Sequence, residues 1–596
     1  MAPTNFPPDL PPQDIKQFFP TKRDPLNGVD FEIGLVLGGT VSAGAYTAGV
    51  IDYLMEALDA WTAAKEQGAA YAPKHDVAIS TIGGTSGGGI NGAILLRAAG
   101  FAFDHGPTES NIFYRTWTRG VSLQNLLSDR PEPGVEGAQA FLNCQILDQQ
   151  ADSVIKATGA PLGSGNSPRA RSYFTDPLRL VTMVGNVTGV PYKIEFKGES
   201  DFAHELMAHE DQVRFALFVP GGAKDEVTSR PDEFALAYGS NVNWSMLKAA
   251  ALATSAFPAA LRARVIERQL AVYGYRVAVV PSDAGEEAEV VQLIPKWDVL
   301  TAGKKPPYNP QFLNVDGGSM NNEPLDVVRT ALAGLNGRNP RDWRQANRGV
   351  VLVDPFTDPE DLGPDAPPGA LKMIFPFINA LISQNRFKPM DVALATRDNV
   401  YSRFLVAPVR ETTGGKKVIR GNKAIASGGL GGFLGFLDPL FLEYDFRLGR
   451  VNAYKFLTEE FMLPEEHSMF SEANWPKSER ARHRKSYVIK NRATGADEKL
   501  DHLPIIPLMP NLLDNPPKMD RGWPALSEMP DWLSDAIDAR LDKVFADWKA
   551  DMNAGWLMSG GLSIAWNLGL RKAIRNKALD TFKQALVDHE LLPKDS

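Results

Sequence analysis

Short apolar runs alternate with helical stretches along the first hundred residues. The run at 31–37 is bounded by glycine and is typical of a buried parallel strand. After a glycine-containing turn, residues 45–67 place their apolar side chains on one helical face. The order then repeats, because 77–82 predicts a strand and, after a glycine-dense turn, 90–99 predicts a helix that Gly100 ends. Two consecutive strand–turn–helix units predict a three-layer α/β domain with a mostly parallel sheet.

Later apolar runs continue this pattern as far as about residue 356. They predict strands at Arg179–Gly185, Tyr192–Phe196, Arg214–Val219, Phe312–Val315 and Gly349–Val353. A helix is predicted from Trp244 to Ala256, and Pro258 prevents it from continuing. These elements belong to the same α/β domain.

The composition changes after residue 356. Residues 357–369 are rich in Pro, Asp and Gly, which is typical of a linker or a long loop. Helical spacing dominates beyond them, most clearly at Asp531–Met552, and 562–592 predicts one or two further helices. We therefore predict a Pro-rich N-terminal extension over 1–29, an α/β domain over 30–356 and a mainly helical C-terminal region over 357–596.

Composition narrows the functional classes without changing this fold. The 596 residues are 44% hydrophobic and 22% charged, which is typical of a globular protein with a large core. The net charge of −8 argues against a nucleic-acid partner, because phosphate backbones bind basic surfaces. Prolines interrupt the N-terminal residues where a signal peptide would be apolar, and no run approaches the roughly 20 apolar residues that span a bilayer. We expect a cytoplasmic protein, with peripheral membrane contact left open.

The sequence Gly84-Thr85-Ser86-Gly87-Gly88 lies between a predicted strand and a predicted helix. A serine at such a turn is exposed at the end of the sheet, and flanking glycines permit the close packing of a nucleophile elbow. The N-terminus of the following helix adds partial positive charge where an oxyanion would develop. The alternatives are a glycine-rich turn with an incidental serine, or a phosphate-binding loop, although the Gly-Lys-Ser/Thr of a Walker motif is absent. Ser86 is the predicted nucleophile.

A serine nucleophile needs a base, and the histidines of this chain are weak candidates. His467, His483 and His502 come late enough for a hydrolase triad, but none follows a clear predicted strand. His483 also lies within a basic run, which is more typical of a solvated surface. The sequence therefore gives little support to a Ser-His-Asp triad.

An aspartate is the better candidate for the base. Asp316 follows the predicted strand Phe312–Val315 and precedes Gly317 and Gly318, which keep its approach uncrowded. Ligands bind at the carboxyl ends of strands in an open α/β sheet, so we expect Asp316 and Ser86 to share one rim. An Asp-Gly pair alone is weak evidence, because such pairs are common in turns.

The turn after the first strand, Leu37–Tyr46, is a candidate oxyanion hole. The candidate donors are the backbone N–H groups of Gly38, Gly39, Thr40 and Val41, with the following helix N-terminus reinforcing them. Which of the two pairs, Gly38 and Gly39 or Thr40 and Val41, points inward stays open. A dinucleotide-binding turn is the alternative, but its G-x-G-x-x-G fingerprint would need glycine at position 41.

Taken in order, these motifs resemble those of the patatin-like phospholipases over about residues 30–356. The resemblance is carried by the loop running into Gly44–Gly49, by Gly84–Gly88, by Ala253–Pro258 and by Asp316–Gly318. Asn321–Leu325 and Tyr444–Asn452 are similar to a larger bacterial branch of the family that has a long C-terminal extension. The oxyanion loop departs from the family pattern, because its usual third glycine and arginine are missing and Ser42 and Ala43 stand nearby.

The resemblance implies a patatin-like α/β/α domain with a Ser-Asp dyad, in which Ser86 is the nucleophile and Asp316 the base. It implies a serine hydrolase that cleaves acyl esters of lipids through an acyl-serine, without a metal or a cofactor. Three alternatives stay open: an acyltransferase, an esterase acting on non-lipid esters, and a patatin-fold scaffold that binds a lipid or a partner without turnover.

Two apolar stretches are candidates for contact with the lipid. They are Met373–Ile382 and Leu430–Leu437, and both are too short to span a bilayer. Each has the composition of a lid, a pocket wall or an interfacial element, and ordinary core packing is an equal alternative.

Overall fold

The computed structural model describes residues 16–155, 169–194, 204–225, 230–280, 288–304, 309–358, 380, 383–386, 400–412, 417–490, 495–551 and 566–594. The helices of this part are α1 (Gly44–Glu66), α2 (Gly87–Ala98), α3 (Ile112–Gly120), α4 (Leu123–Leu126), α5 (Gln145–Val154), α6 (Trp244–Thr254), α7 (Leu270–Tyr273), α8 (Trp297–Leu300), α9 (Leu325–Ala333), α10 (Pro439–Lys455), α11 (Lys477–Arg480), α12 (Pro510–Asp514), α13 (Trp532–Asp551) and α14 (Arg571–Asp588). Its strands are β1 (Phe31–Leu37), β2 (Val77–Gly84), β3 (Phe174–Ile194), β4 (His204–Phe218), β5 (Ala223–Lys224), β6 (Glu233–Ala237), β7 (Arg264–Glu267), β8 (Val277–Val280), β9 (Glu289–Gln292), β10 (Gln311–Asp316), β11 (Arg348–Val353), β12 (Arg403–Val406), β13 (Val409–Glu411), β14 (Val418–Arg420), β15 (Met462–Pro464), β16 (Lys485–Lys490) and β17 (Asp497–Pro504). Short 3₁₀ turns at Val41–Ala43, Gly317–Ser319, Leu430–Gly432 and Leu434–Phe436 border the candidate site.

The central sheet has the order β12-β11-β1-β2-β3-β10-β7, with β4 on the other edge of β3. The strands from β12 to β3 pair in parallel, whereas β10 and β4 both pair with β3 in antiparallel fashion. The predicted α/β fold with a mostly parallel sheet is therefore confirmed. The predicted runs at 179–185 and 192–194 prove to be one long strand, β3, while residues 195 and 196 lie outside the described part.

Helices cover both faces of the sheet, which explains why β1 is buried at every position. On one face, Leu35 and Leu37 belong to the large core that includes residues of α1, α2 and α6. On the other face, Val36 packs with Val328 and Leu332 of α9. The three layers predicted from the alternating strands and helices are present.

The region beyond residue 356 packs directly against this α/β core. Strand β12 extends the sheet by pairing in parallel with β11. Helix α10 crosses α1 in backbone contact: a Cβ atom on Gly49 would lie 2.0 Å from the Phe446 carbonyl oxygen, and one on Gly449 would lie 2.1 Å from that of Tyr46. The predicted C-terminal helices are present, and α13 lies within the predicted span 531–552. The β13-β14 hairpin and the β15-β17-β16 sheet are additions that helical spacing did not predict.

The N-terminal extension is described from residue 16 onward, and its described part runs along the end of α9. The N–H of Arg23 donates to the Ala333 carbonyl at 2.9 Å, and the N–H of Leu335 donates to the Pro20 carbonyl at 3.0 Å. Among the described residues, no helix has the length and apolar character needed to cross a membrane.

Replacing Gly449 by alanine is expected to lower the free energy of unfolding by about 2 kcal/mol. The new methyl group meets the backbone of α1, which cannot move aside, and this outweighs the gain in helix propensity of up to about 1 kcal/mol. Thermal unfolding measures the effect, and Gly522→Ala is the control because no heavy atom lies within 4 Å of its Cβ position. Equal midpoints for the two variants would contradict the close crossing of α1 and α10.

Candidate active site

The geometry of β3 brings the ends of two other strands together. Because β4 occupies one edge of β3, β2 and β10 share the opposite edge. Gly84, the last residue of β2, lies opposite Thr182, and Asp316, the last residue of β10, lies opposite Val184. The two carboxyl ends therefore meet two residues apart on β3, about 7 Å along the strand. The sequence led us to expect one shared rim, and the antiparallel direction of β10 is what produces it.

Ser86 lies at the turn between β2 and α2 in a conformation that non-glycine residues seldom adopt. Its φ and ψ are 52° and −126°, and it occupies the residue position just before α2 begins. Such strain in a buried loop is typical of a nucleophile elbow. The neighbouring glycines are needed for space: a Cβ on Gly88 would lie 2.1 Å from the Leu37 carbonyl oxygen, and one on Gly87 would lie 2.3 Å from Thr40 Oγ1.

Ser86 and Asp316 are in direct contact. The Ser86 hydroxyl donates to Asp316 Oδ2 at 2.7 Å, and the Gly318 N–H donates to Asp316 Oδ1 at 2.7 Å. Both side chains are buried, with 5% of Ser86 and 4% of Asp316 exposed. A second segment holds the two backbones, because the Ser86 N–H donates to Thr254 Oγ1 at 2.9 Å and the Asp316 N–H donates to the Ala256 carbonyl at 2.9 Å.

The positioning role of Thr254 and Ala256 was not predicted from the sequence. The sequence predicted a helix over Trp244–Ala256 and a similarity of Ala253–Pro258 to a family stretch, but no contact of this segment with Ser86 or Asp316. The sequence feature that points to them is Pro258, shortly before which α6 ends at Thr254. A helix end leaves backbone carbonyls without a partner in the helix, and Thr254 adds a side-chain hydroxyl there.

Burial raises the pKa of Asp316 from its usual value to about 6. The hydrogen bonds from Ser86 and Gly318 oppose this rise, because both stabilise the ionised carboxylate. A carboxylate with a pKa near 6 is ionised at neutral pH and is a stronger base than an exposed aspartate. Asp316 therefore has the contact and the proton affinity that a general base requires.

The three late histidines lie in the C-terminal region and make other contacts. His467 Nδ1 accepts the Met469 N–H at 3.2 Å, the His502 ring packs on Tyr401 and Tyr487, and His483 packs on Trp475. No histidine lines the cavity at Ser86 within the described part of the chain. The aspartate is therefore the base candidate that the structure brings to Ser86.

Two of the four candidate oxyanion-hole amides already donate hydrogen bonds to backbone carbonyls. The Gly38 N–H donates to the Val353 carbonyl at 3.1 Å, and the Gly39 N–H donates to the Asn322 carbonyl at 3.2 Å. Within the described ranges, the amides of Thr40 and Val41 donate to no protein acceptor. Val41 has a φ of 47° and lines the same cavity as Ser86. The geometry therefore favours Thr40 and Val41 over the two glycines as donors.

A turn from the C-terminal region holds the oxyanion loop. The Ser42 hydroxyl donates a hydrogen bond to the Gly432 carbonyl, and a Cβ on Gly432 would lie 2.9 Å from the Thr40 carbonyl oxygen. Asp445 of α10 anchors the chain leading into this turn by accepting the backbone N–H groups of Ala426 and Ser427. Ser42, which stands close to the position of the missing arginine, thus connects the loop to the C-terminal region.

An apolar cavity of about 110 Å³ opens at the dyad. Its walls come from α2, α3, α5, α6 and the C-terminal turn, and they include Val41, Ile90, Ile94, Trp117, Val121, Leu126, Leu147, Val154, Ile155, Phe257, Leu261, Phe433 and Phe436. Phe433 packs edge-on against Phe257 with ring centroids 5.9 Å apart. In the stretch Leu430–Leu437, Phe433 and Phe436 thus line the pocket, whereas Leu434 and Leu437 are buried in the core. Most of Met373–Ile382, the other apolar candidate, lies outside the described residues.

Replacing Asp316 by asparagine is expected to stabilise the folded protein at pH 8. The folded state holds the Asp316 proton up to about pH 6, whereas an unfolded aspartate loses it near 3.8, so ionisation of the buried group weakens folding as the pH rises through 6. Asparagine imitates the protonated form, and the expected gain is about 2 kcal/mol at pH 8 and close to zero at pH 4. Thermal unfolding at both pH values measures it, with exposed Asp580→Asn as the control. A pH-independent difference would contradict the raised pKa.

Comparison with known proteins agrees with the motifs and the fold. A family model described as patatin-like phospholipase matches residues 35–329, a range that contains both Ser86 and Asp316. An uncharacterized protein, y4iI, of Sinorhizobium fredii (strain NBRC 101917 / NGR234) is 32% identical over 607 residues, covering 95% of this chain and 82% of the relative. That similarity extends into the C-terminal region as well. The chain belongs to the patatin-like phospholipases, a family of lipid acyl hydrolases.

Proposed function

We propose that this protein is a serine hydrolase that cleaves acyl esters of lipids with a Ser86-Asp316 dyad. The observation that carries the proposal is the 2.7 Å contact between the Ser86 hydroxyl and Asp316 at the end of an apolar cavity. The strained φ of Ser86 supports it, because strain of this kind is retained where function requires it.

The reaction follows from the positions of these groups. Asp316 takes the hydroxyl proton as Ser86 Oγ attacks the ester carbonyl carbon, and the carbonyl oxygen becomes an oxyanion. The amides of Thr40 and Val41, with that of Gly87 at the start of α2, are the proposed donors to this oxyanion. Collapse breaks the ester bond, the alcohol leaves with the proton from Asp316, and an acyl-serine remains. Asp316 then takes a proton from water, whose oxygen attacks the acyl-serine carbonyl carbon. Collapse breaks the bond from that carbon to Ser86 Oγ, Oγ takes the proton back from Asp316, and the carboxylic acid is released.

The lining of the cavity supports a lipid acyl group as the part that binds inside. Among the described lining residues, Asp316 is the only ionisable side chain, and most of the others are aliphatic or aromatic; the uncharged polar side chains are those of Ser86, Thr116, Gln150 and Ser255. A hydrocarbon chain gains about 0.8 kcal/mol for each buried methylene in such surroundings, whereas a charged head group would lose its hydration. The proposed pose therefore places the acyl chain in the cavity and the head group outside, at a lipid surface that the protein contacts peripherally.

Ser86→Ala and Asp316→Asn are each expected to reduce hydrolysis of a p-nitrophenyl acyl ester at least about 1,000-fold. The first substitution removes the nucleophile and the second removes the base. Labelling by a fluorophosphonate probe should disappear in Ser86→Ala and persist in Ser110→Ala, which alters an exposed serine. Undiminished turnover in Ser86→Ala would contradict the dyad. Absence of turnover on every ester tested would favour the alternative of a patatin-fold scaffold that binds a lipid or a partner without cleaving it.

The pH dependence of the wild-type reaction tests the base separately. Only ionised Asp316 accepts the proton, so kcat/KM should rise with pH and level off above an apparent pKa of about 6. A profile that is flat between pH 5 and 7.5 would show that another group, or none, acts as the base.

Phe433→Ala is expected to shift acyl preference toward longer or bulkier chains. Removing the ring enlarges the cavity on the side of the C-terminal turn, so the ratio of kcat/KM for a C12 ester to that for a C4 ester should rise several-fold. Phe141→Ala is the control, because that ring is 54% exposed and does not line the cavity. An unchanged ratio would show that the turn does not contact the acyl chain.

A further inference from the structure

A second, larger cavity lies on the face of the sheet opposite to α2. Its volume is about 510 Å³, and it lies between β3, β4, α9 and the N-terminal extension. The alternation of β3 separates the two faces: Leu180 packs on α2, where a Cβ on Gly92 would lie 2.6 Å from it, whereas Met183 lines this second cavity. The cavity shares no lining residue with the cavity at Ser86.

Most of the charges around this cavity are paired. Arginine and carboxylate groups line it together, and three of the arginines are in ion pairs. Arg276 is 2.7 Å from Asp211, and Arg214 is 3.3 Å from Asp232. The third, Arg23, is 2.9 Å from the carboxylate of Glu32, a residue outside the lining.

Arg230 is the exception. Only 9% of it is exposed, and its side chain makes no hydrogen bond or ion pair with any residue in the described ranges. Its guanidinium carbon lies 5.9 Å from the centroid of the Phe19 ring. The carboxylates nearest to it in sequence form their ion pairs with other arginines, Asp232 with Arg214 at 3.3 Å and Glu233 with Arg179 at 2.9 Å. Both attract the Arg230 charge, but neither forms a hydrogen bond with it.

A buried and unpaired guanidinium beside an open cavity favours an anionic ligand. Burial of Arg230 disfavours its charge, and its pKa falls to about 10 as a result. An anion in the cavity would replace the lost hydration and supply the missing hydrogen-bond acceptors. Carboxylates suit a guanidinium especially well, because the two planar groups form paired hydrogen bonds.

The other residues that line the cavity indicate which kind of anion would bind there. Glu210, Asp211, Asp232 and Asp326 also line the cavity. Asp211 and Asp232 are in ion pairs, yet the added negative charge disfavours a doubly charged group such as phosphate more strongly than a single carboxylate. Between them lie the apolar surfaces of Phe18, Phe19, Val190, Val277, Leu293 and Val327. The lining therefore suits a single negative charge attached to a hydrocarbon body.

We propose that this cavity binds an amphiphilic monocarboxylate of the fatty-acid class, with its carboxylate on Arg230 and its chain along the N-terminal extension and α9. The site is separate from the dyad, and its occupation does not require turnover at Ser86.

The test is calorimetric titration of the full-length Ser86→Ala protein with octanoate, which binds without being turned over. Two variants probe the cavity: Arg230→Met removes the charge, and Val327→Trp fills the space. We expect each to weaken a binding component at least tenfold or to abolish it, while Arg344→Met, at an arginine whose side chain is 56% exposed, leaves that component unchanged. Octanol should not produce the component, because it lacks the charge.

The outcomes separate the proposal from its alternatives. Octanoate binding that is equal in Arg230→Met and its parent would overturn it, as would octanol binding that equals that of octanoate. Saturable binding of inorganic phosphate that depends on Arg230, without binding of octanoate, would overturn the carboxylate assignment. Arg230→Met should be at least as stable as its parent, because it removes an unpaired buried charge, so a large loss of thermal stability would instead make Arg230 a structural residue.

Discussion

One edge of β3 carries both β2 and β10, and this shared edge fixes where the two strands end relative to each other. A strand has two edges, and β4 occupies the other along the same residues. The last residues of β2 and β10 therefore face each other across a short gap, and the turns that leave them carry Ser86 and Asp316 into contact. The rest of the site is arranged around this meeting point, since α2 starts there and the end of α6 binds both backbones.

The burial of Asp316 has two opposing effects, one on the stability of its charged form and one on its strength as a base. Burial beside an apolar cavity makes its ionised form costly, and the same burial gives it a proton affinity suited to neutral pH. Two hydrogen bonds, from Ser86 and Gly318, keep the carboxylate oriented. A cationic neighbour would stabilise the carboxylate more strongly but would also weaken it as a base.

Local sequence patterns were sufficient to predict much of this arrangement. The apolar runs predicted the strands β1, β2, β3, β4, β10 and β11, which make up most of the central sheet, but not the short strands outside it. The glycines around Ser86 predicted the tight turn, because close backbone approach leaves few other choices. The direction of β10 could not be predicted, since a run as short as Phe312–Val315 looks the same in parallel and antiparallel pairing. The contacts of Thr254 with Ser86 and of Ser42 with Gly432 join residues 168 and 390 positions apart, and no local pattern encodes such separations. The lack of an ion pair at Arg230 likewise depends on more distant residues, because Arg214 and Arg179 pair with the carboxylates of Asp232 and Glu233.

Phe433 and Phe436 show that the two parts of the chain contribute different things to the cavity. The proposed nucleophile and base come from the ends of the central strands, while one wall beside them comes from a turn more than one hundred residues further along the sequence. Substitutions in that turn can reshape the cavity without disturbing the strand ends that hold the dyad. Relatives that keep the same dyad are therefore free to diverge in the molecules they accept by varying the C-terminal turn, and a survey of its aromatic positions would sort them by the volume of that cavity.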